Sequence, residues 1–234
     1  MANIQDKKSP SAIIGLVVIY LILIAFTLLA IYPLVWLFIN SFKTTQEFQM
    51  NKLGLPGKIE GFSPTFINYV DAWTRGKFPI LIFNSVFYTA FTTIAVVVLS
   101  FMGSFAFAKL KSKATPILHG SFVIGMLLTL QCIMVPLFLL VNWAGLYNTR
   151  LGVLIPYIGI GMPMGIYLGT EYIKSIPDAL IESARIDGAT YFRIFMRLIL
   201  PMAKPVGVTL AILTVTGTWN EFMLINILTS SDAI

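Results

Sequence analysis

The sequence predicts an all-α fold, namely a polytopic bundle of transmembrane helices. Of its 234 residues, 57% are hydrophobic and only 11% are charged, and the mean hydropathy is +0.86. Long apolar stretches alternate with short polar or charged segments. Each stretch reaches the roughly 17–25 residues that a membrane-spanning helix needs. A soluble domain of this composition would expose large apolar patches, so we exclude that class.

Five predicted spans account for the apolar stretches. They occupy about residues 11–39, 78–108, 114–149, 151–170 and 205–228. The first stretch resembles a signal peptide in that Lys7 and Lys8 precede it, but its apolar run far exceeds the roughly 7–15 residues of a signal sequence. We therefore expect a retained first helix. One transmembrane domain is expected over residues 1–234, with its core spans within residues 78–228.

Basic residues collect at alternate ends of the predicted spans. They are Lys7, Lys8, Lys109, Lys111, Lys113, Lys174, Arg185, Arg193, Arg197 and Lys204. Cytoplasmic segments of membrane proteins carry an excess of Lys and Arg. This rule places the N-terminus in the cytoplasm, residues 41–77 outside as a small folded cap, and residues 175–201 inside. Because topology accounts for the net charge of +6, we expect no nucleic-acid partner.

Residues 175–201 read as two amphipathic helices joined by a glycine. Pro177 suits the first turn of a helix, and Gly188 suits a position of positive φ just after its end. Thr190 can cap the second helix. The expected apolar stripes are Leu180, Ile181 and Ala184 on the first helix, and Phe192, Phe195, Leu198 and Ile199 on the second. On periodicity alone, such an element could simply lie on lipid headgroups.

The residue pattern of this segment is more informative than its amphipathicity. The residues concerned are Glu182, Ser183, Ala184, Asp187, Gly188, Ala189, Leu200 and Pro201. This pattern closely resembles the EAA loop of permease subunits of ATP-binding-cassette (ABC) importers, with Ser183 where that family usually has Ala. In that family the loop forms a coupling helix that docks on a separate ATPase subunit. The resemblance implies that residues 175–201 are a cytoplasmic coupling loop.

Further motifs extend the resemblance over about residues 80–230. They are Asn84-Ser85, Ala106-Phe107-Ala108, Pro136-Leu137, Gly145-Leu146-Tyr147-Asn148-Thr149 and Trp219-Asn220-Glu221-Phe222. Together they resemble the carbohydrate-uptake branch, and within it the smaller G-type permease of maltose-like importers. The resemblance implies a type I importer permease in the bacterial cytoplasmic (inner) membrane. That family has a sixth span, which we expect to be lacking after the five found here.

The resemblance also implies what the chain does and what it assembles with. The expected function is import of a sugar or oligosaccharide. The expected partners are a second permease subunit in a heterodimer, two ABC ATPase subunits, and an extracytoplasmic sugar-binding protein that would meet the loops at residues 41–77 and 142–150. ATP would bind to the ATPase partners, so no cofactor is expected on this chain.

A small set of residues within the spans is a candidate for the translocation path. It consists of Trp219, Asn220, Glu221, Gln131 and Asn84. A charge at the centre of a span costs roughly 3 kcal/mol, so Glu221 is expected to be paired or to line a cavity. Two interpretations of it stay open: contact with the sugar, or a place near the external end of the span, solvated or bonded to another helix. Gln131 and Asn84 could equally bond neighbouring helices.

Two alternative functions follow from the same composition. A permease for amino acids or peptides would share the coupling loop, whereas an ion-driven secondary transporter would need a network of buried ionisable groups, and the spans offer essentially Glu221. We expect no enzymatic activity, because one His and one Cys cannot assemble a catalytic or metal site. The Gly57-Lys58 pair lacks the spacing of a P-loop, so no ATPase site is expected either.

Overall fold

The computed structural model describes residues 10–110 and 112–230. Lys7, Lys8 and Lys111, on which the predicted topology partly rests, lie outside these ranges. All regular secondary structure in the described ranges is helical, as predicted. The chain divides into two compact units, Met1–Phe78 and Pro79–Ile234. The single transmembrane domain expected for the whole chain stays a prediction.

The first unit consists of one long helix and a folded loop. Its helices are α1 (Pro10–Asn40), α2 (Thr45–Met50) and α3 (Ile67–Thr74). Asn68 links α3 to the segment just after α1, because its side-chain amide donates to the carbonyl oxygens of Ser41 and Lys43 at 2.8 and 2.7 Å. Phe42 packs against the rings of Phe66 and Tyr69. The expected folded loop is therefore present.

Two charged side chains form the polar centre of this loop. Lys43 and Glu47 are 1% and 0% exposed. The Lys43 ammonium donates to the Asn51 carbonyl oxygen at 2.5 Å, and the Glu47 carboxylate accepts from the Gly57 amide at 2.6 Å. Buried polar groups need such partners, so this pair ties the beginning of the loop to its middle.

The second unit is a helical bundle. Its helices are α4 (Phe78–Lys109), α5 (Thr115–Gly125), α6 (Leu130–Trp143), α7 (Arg150–Lys174), α8 (Asp178–Ile186), α9 (Tyr191–Ile194), a π-helix (Phe195–Ile199), α10 (Leu200–Met202), α11 (Lys204–Trp219) and α12 (Met223–Leu228). Helix α7 stays continuous through Pro156 and Pro163. Two buried clusters occupy opposite parts of α4 and α7, and each forms one of the sites described below.

Three of the five predicted spans are single helices, the predicted third span is bent, and the predicted fifth span begins directly after a second bend. Helices α1, α4 and α7 are each long and apolar enough to cross a membrane. The predicted third span is the pair α5 and α6, which meet at 107°, and Tyr191–Met202 meets α11 at 75°. Apolar composition does not reveal such bends. At the first bend, Thr129 is extended and starts α6 anew; at the second, the Tyr172 hydroxyl donates to the Met202 carbonyl oxygen at 3.0 Å.

Helices α4 and α7 approach each other along a stripe of small residues. Gly161, Gly165 and Gly169, one turn apart on α7, face Val96, Ser100 and Ser104, one turn apart on α4. A Cβ atom on Gly165 would overlap the Ser100 side chain. The Ser104 hydroxyl donates to the Ile166 carbonyl oxygen at 3.0 Å. Such small-residue stripes let transmembrane helices pack closely, and this contact lies at the centre of the second unit.

Replacing Gly165 by Ala is expected to destabilise the bundle, and replacing Gly159 by Ala is not. The added methyl group at position 165 overpacks the α4–α7 contact, at a cost of about 1–3 kcal/mol. Gly159 lies on the same helix with open space around it, so Ala there removes only the helix penalty of glycine. Thermal unfolding of the two purified variants in detergent compares them. An equal change in both would contradict close packing at Gly165.

Candidate functional site

The first candidate site is the helix–glycine–helix element of residues 175–201. Helix α8 ends at Ile186 with Asp187 as its C-cap, and Gly188 follows with φ of +79°, as predicted. The Gly188 amide donates to the Arg185 carbonyl oxygen at 3.0 Å, and the Ala189 amide to that of Ala184 at 2.9 Å. This pair of bonds is a Schellman motif, in which glycine is favoured because φ is positive. The turn therefore fixes where α8 stops.

The second arm of the element begins as expected, and the predicted apolar stripes are buried in part: Ile181, Phe195 and Ile199 point inward as predicted. The Thr190 hydroxyl accepts from the Arg193 amide at 3.3 Å and caps α9. Leu180 and Phe192, predicted for the apolar stripes, are 42% and 70% exposed. Ile194 takes the inward position instead, at 2% exposure. The predicted stripe assumed a continuous α-helix, whereas the chain passes into a π-helix at Phe195 and changes its periodicity.

The inward side of the element packs on the ends of α4 and α7. This cluster consists of Phe101, Phe105, Ile173, Ile176, Ile181, Ile194, Phe195, Ile199 and Ala203. Burial of several large apolar side chains, each worth roughly 1.5–3 kcal/mol, holds the element as part of the bundle. A helix resting on lipid headgroups would keep its apolar side in the membrane instead.

Two cationic side chains brace the element. The Lys109 ammonium, at the end of α4, donates to the Ile176 carbonyl oxygen and to the Asp178 carboxylate, both at 2.6 Å. The Lys109 side chain is 5% exposed and the Asp178 side chain 64% exposed, so the lysine end of this contact is buried and the carboxylate end is open to solvent. The Arg185 guanidinium lies 4.4 Å from the centroid of the Tyr191 ring and joins the two arms across Gly188.

The resembled EAA residues all lie on this element. Glu182, Ser183 and Ala184 belong to α8, Asp187, Gly188 and Ala189 form the turn, and Leu200 and Pro201 begin α10. Beside the turn, Ile186 and Phe192 are 87% and 70% exposed. Large apolar side chains exposed together mark an interaction surface. We refer to Ile186, Phe192 and the turn 187–189 as the tip of the element.

The second candidate site is a polar cavity of about 760 Å³ in the other part of the bundle. Its lining consists of Leu81, Asn84, Ser85, Tyr88, Thr89, Tyr157, Thr218, Trp219, Asn220, Glu221, Phe222, Ile225, Asn226, Thr229 and Ser230. The structure therefore brings together Asn84, Trp219, Asn220 and Glu221 from the predicted path residues. Gln131 does not line this cavity and is exposed in the first turn of α6.

Glu221 lies at a break in the predicted fifth span. Helix α11 ends at Trp219 and α12 begins at Met223, so the expected continuous span over residues 205–228 is wrong. The Glu221 carboxylate accepts from the Leu224 and Ile225 amides at 2.7 and 3.3 Å. These bonds replace backbone bonds at the start of α12. Side-chain chemistry thus stabilises a break that hydropathy does not indicate.

The same carboxylate also ties α12 to α7. The Tyr157 hydroxyl donates to Glu221 Oε2 at 2.8 Å. Tyr157 and Tyr88 pack edge to face, with ring centroids 6.4 Å apart, inside the buried cluster next to the cavity. Glu221 is therefore bonded to another helix and lines a cavity at the same time, which combines parts of both interpretations.

The sequence interpretation missed several lining residues. Tyr88 lies one turn after Asn84 on α4, so helical spacing could have predicted that both side chains share one face. Tyr157 and Asn226 gave no such signal, because an apolar span does not reveal which of its faces meets a neighbouring helix. In the described ranges, no group of three or more His, Cys, Asp or Glu could hold a metal ion.

The turn before α7 is bonded to the segment at residues 228–230, part of which lines the cavity. Asn148 adopts φ of +55°, a left-handed conformation that Asn tolerates. Its amide donates to the Leu228 carbonyl oxygen, and its side-chain oxygen accepts from the Ser230 amide, both at 3.0 Å. The Thr149 hydroxyl caps α7 by accepting from the Gly152 amide at 3.1 Å. The Gly145–Thr149 motif therefore positions the segment at residues 228–230.

Comparison with known proteins identifies the class of this fold. Residues 101–234 match the family described as binding-protein-dependent transport system inner membrane component. The chain belongs to this family. A solved structure of a bacterial ABC transporter involved in import of the acidic polysaccharide alginate superimposes with a TM-score of 0.82 and 26% identity, covering 96% of this chain and 78% of that chain.

Individual relatives support the same assignment along nearly the full chain. The trehalose transport system permease protein SugB of Mycobacterium tuberculosis is 32% identical over 204 residues, which are 87% of this chain and 72% of the relative. The arabinooligosaccharides transport system permease protein AraQ of Bacillus subtilis is 29% identical over 218 residues, 93% and 76% of the two chains. The predicted ABC importer permease, a multi-pass membrane protein, is confirmed.

Replacing Lys109 by Met is expected to loosen α8, and replacing Lys113 by Met is not. The Met side chain keeps most of the packing of the lysine stem but loses the bond to the Ile176 carbonyl oxygen, worth about 1–2 kcal/mol. Amide hydrogen exchange of α8 should then become about 5–30 times faster. Lys113 is exposed and serves as the matched control. Unchanged exchange in the first variant would show that Lys109 does not hold the element.

Proposed function

We propose that the importer containing this chain carries a sugar or oligosaccharide and that the polar cavity is part of its path. The observation that carries the proposal is the convergence of Trp219, Asn84, Asn220 and Glu221 on one cavity. Binding sites for small molecules combine aromatic walls with a few convergent polar groups. An aromatic face suits the C–H face of a sugar ring, and amides and a carboxylate suit its hydroxyl groups. The substrates in the names of the trehalose and arabinooligosaccharide relatives support this class.

The same proposal assigns the partners of the chain. A second permease subunit forms a heterodimer with it, and two ABC ATPase subunits bind from the cytoplasm. An extracytoplasmic sugar-binding protein delivers the solute at the loops of residues 41–77 and 142–150. ATP binds and is hydrolysed on the ATPase subunits, so this chain is a transport subunit without an ATPase site or a cofactor of its own.

Residues 175–201 dock on an ATPase subunit through their tip. The exposed side chains of Ile186 and Phe192 supply apolar contact area, and exposed Glu182 and Asp187 beside them supply polar contacts. The inward cluster and Lys109 fasten the element to α4 and α7. Movement of the tip is therefore transmitted to α4 and α7, because the element is packed against both helices. This docking places residues 175–201 and the N-terminus in the cytoplasm of a bacterial cell.

Uptake by the complete importer in sealed vesicles tests the proposed function. Labelled trehalose and maltotriose serve as probes, with the binding protein outside and ATP or an ion gradient supplied separately. ATP-dependent accumulation of a saccharide is the expected result. Accumulation of amino acids or peptides instead, or accumulation of solute on an ion gradient without ATP, would favour one of the two alternatives and overturn the assignment.

Replacing Gly188 by Val is expected to uncouple ATP hydrolysis from uptake. A β-branched residue at φ of +79° costs more than the about 1–2 kcal/mol of an ordinary left-handed residue, so the turn relaxes and the tip moves. Saccharide uptake should fall about tenfold or more, while the complex still assembles. Gly188→Asn is the control, because Asn tolerates this conformation. Normal uptake by the Val variant in an intact complex would contradict a coupling role for the turn.

A further inference from the structure

The polar cavity has one formal charge in its described lining, the carboxylate of Glu221. Its other lining side chains are aromatic, aliphatic, hydroxyl or amide groups, with no Lys or Arg among them. Arg150, at the start of α7, lies over the rings of Phe83 and Phe87, at 6.0 and 5.0 Å from their centroids, and does not line the cavity. The lining is therefore negative on balance.

The position of the Glu221 carboxylate is fixed. It accepts three hydrogen bonds, from the Tyr157 hydroxyl and from the Leu224 and Ile225 amides. These donors come from two different helices, so the side chain cannot turn away without breaking all of them. The two oxygens of a carboxylate offer about four acceptor positions. At least one position thus remains for a donor on a bound solute.

We propose that Glu221 makes the cavity selective by charge, so that it accepts neutral saccharides and amino sugars and rejects saccharides that carry a carboxylate. The inference rests on the proposed function, because it takes the cavity as part of a saccharide path. A hydroxyl or ammonium group can donate to the free acceptor position and gains a charge-assisted hydrogen bond. An acidic saccharide can offer hydroxyl donors as well, but it also brings a second negative charge.

Like charges in such a cavity repel strongly because the surrounding protein and bilayer screen them less than bulk water does. The described lining contains no cation that could pair with the acid of the solute. Repulsive elements of this kind give specificity by rejecting the wrong solute rather than by improving contacts to the right one. Asn84, Asn220 and Asn226 bind hydroxyl groups of either class and do not distinguish them.

Binding of two matched saccharides to the purified membrane complex tests this proposal without the selectivity of a binding protein. Maltotriose is the neutral probe and trigalacturonate the acidic one, and saturation-transfer NMR measures both dissociation constants at 0.3 M salt. Wild-type complex should bind maltotriose at least tenfold more tightly. The Glu221→Gln variant should reduce this ratio at least fivefold, chiefly by improving trigalacturonate binding.

A control variant tests whether the effect belongs to the charge in the cavity. Glu171→Gln removes an acid that is exposed on α7 and paired with Lys174, outside the cavity lining, and should leave the ratio unchanged. A ratio that is unaffected by Glu221→Gln, or that shifts equally in this control, would overturn the proposal.

The failure of this inference and the failure of the proposed function give different results. ATP-dependent saccharide uptake with an unchanged Glu221→Gln binding ratio would leave the function standing and remove the charge selectivity. Binding of both probes that persists unaltered in a Trp219→Ala variant would place the saccharides outside this cavity and would also overturn the inference. Absence of saccharide uptake by the wild-type importer would overturn the function itself.

Discussion

The close approach of α4 and α7 is the constraint on which the rest of the second unit depends. Helix α7 carries glycine, and α4 carries valine or serine, at every fourth position of the contact, so the backbones approach closely and the Ser104 hydroxyl bonds to the Ile166 carbonyl oxygen. Within a bilayer the lipid is as apolar as the side chains, so association rests on packing and polar contacts of this kind. Because the two helices are fixed over their middle turns, their ends hold different structures: the helix–glycine–helix element at one and the polar cavity at the other.

The two sites share one arrangement, in which a charged side chain hydrogen-bonds to the backbone of a segment that leads into a helix. Lys109 supplies donors to the chain entering α8, and Glu221 supplies acceptors to the chain entering α12. In both cases the charge belongs to one element and its partners to another. An unpaired charge is costly when it is buried in protein or membrane, so each of these residues also specifies which elements must meet. Polar residues thus determine which helices and segments meet, whereas apolar residues determine only which surfaces are buried.

The sequence predicted the class of fold and most of the candidate site, and the reasons for its failures are physical. Composition and span length give the apolar helices, and glycine chemistry gives the break at Gly188. The bend at Thr129 and the restart at Met223 were missed, because hydropathy averages over several turns and does not respond to one residue that leaves the helix. Phe192 was assigned to the buried stripe since a period of 3.6 was assumed across a π-helix. Tyr157 was missed because the side of a span that meets a neighbouring helix depends on tertiary contacts, which an apolar sequence does not reveal.

The π-helix at Phe195–Ile199 has a consequence for the length of this part of the chain. Its wider turn holds more residues than an α-helical turn, directly before the bend that leads into α11. In an α-helix each residue adds about 100° of rotation. Losing or gaining one residue here would rotate the entry of α11 by that amount relative to α8 and the Gly188 turn, whatever the side chain. Relatives that work by the same geometry should therefore vary in composition between the Gly188 turn and α11 while keeping the number of residues constant.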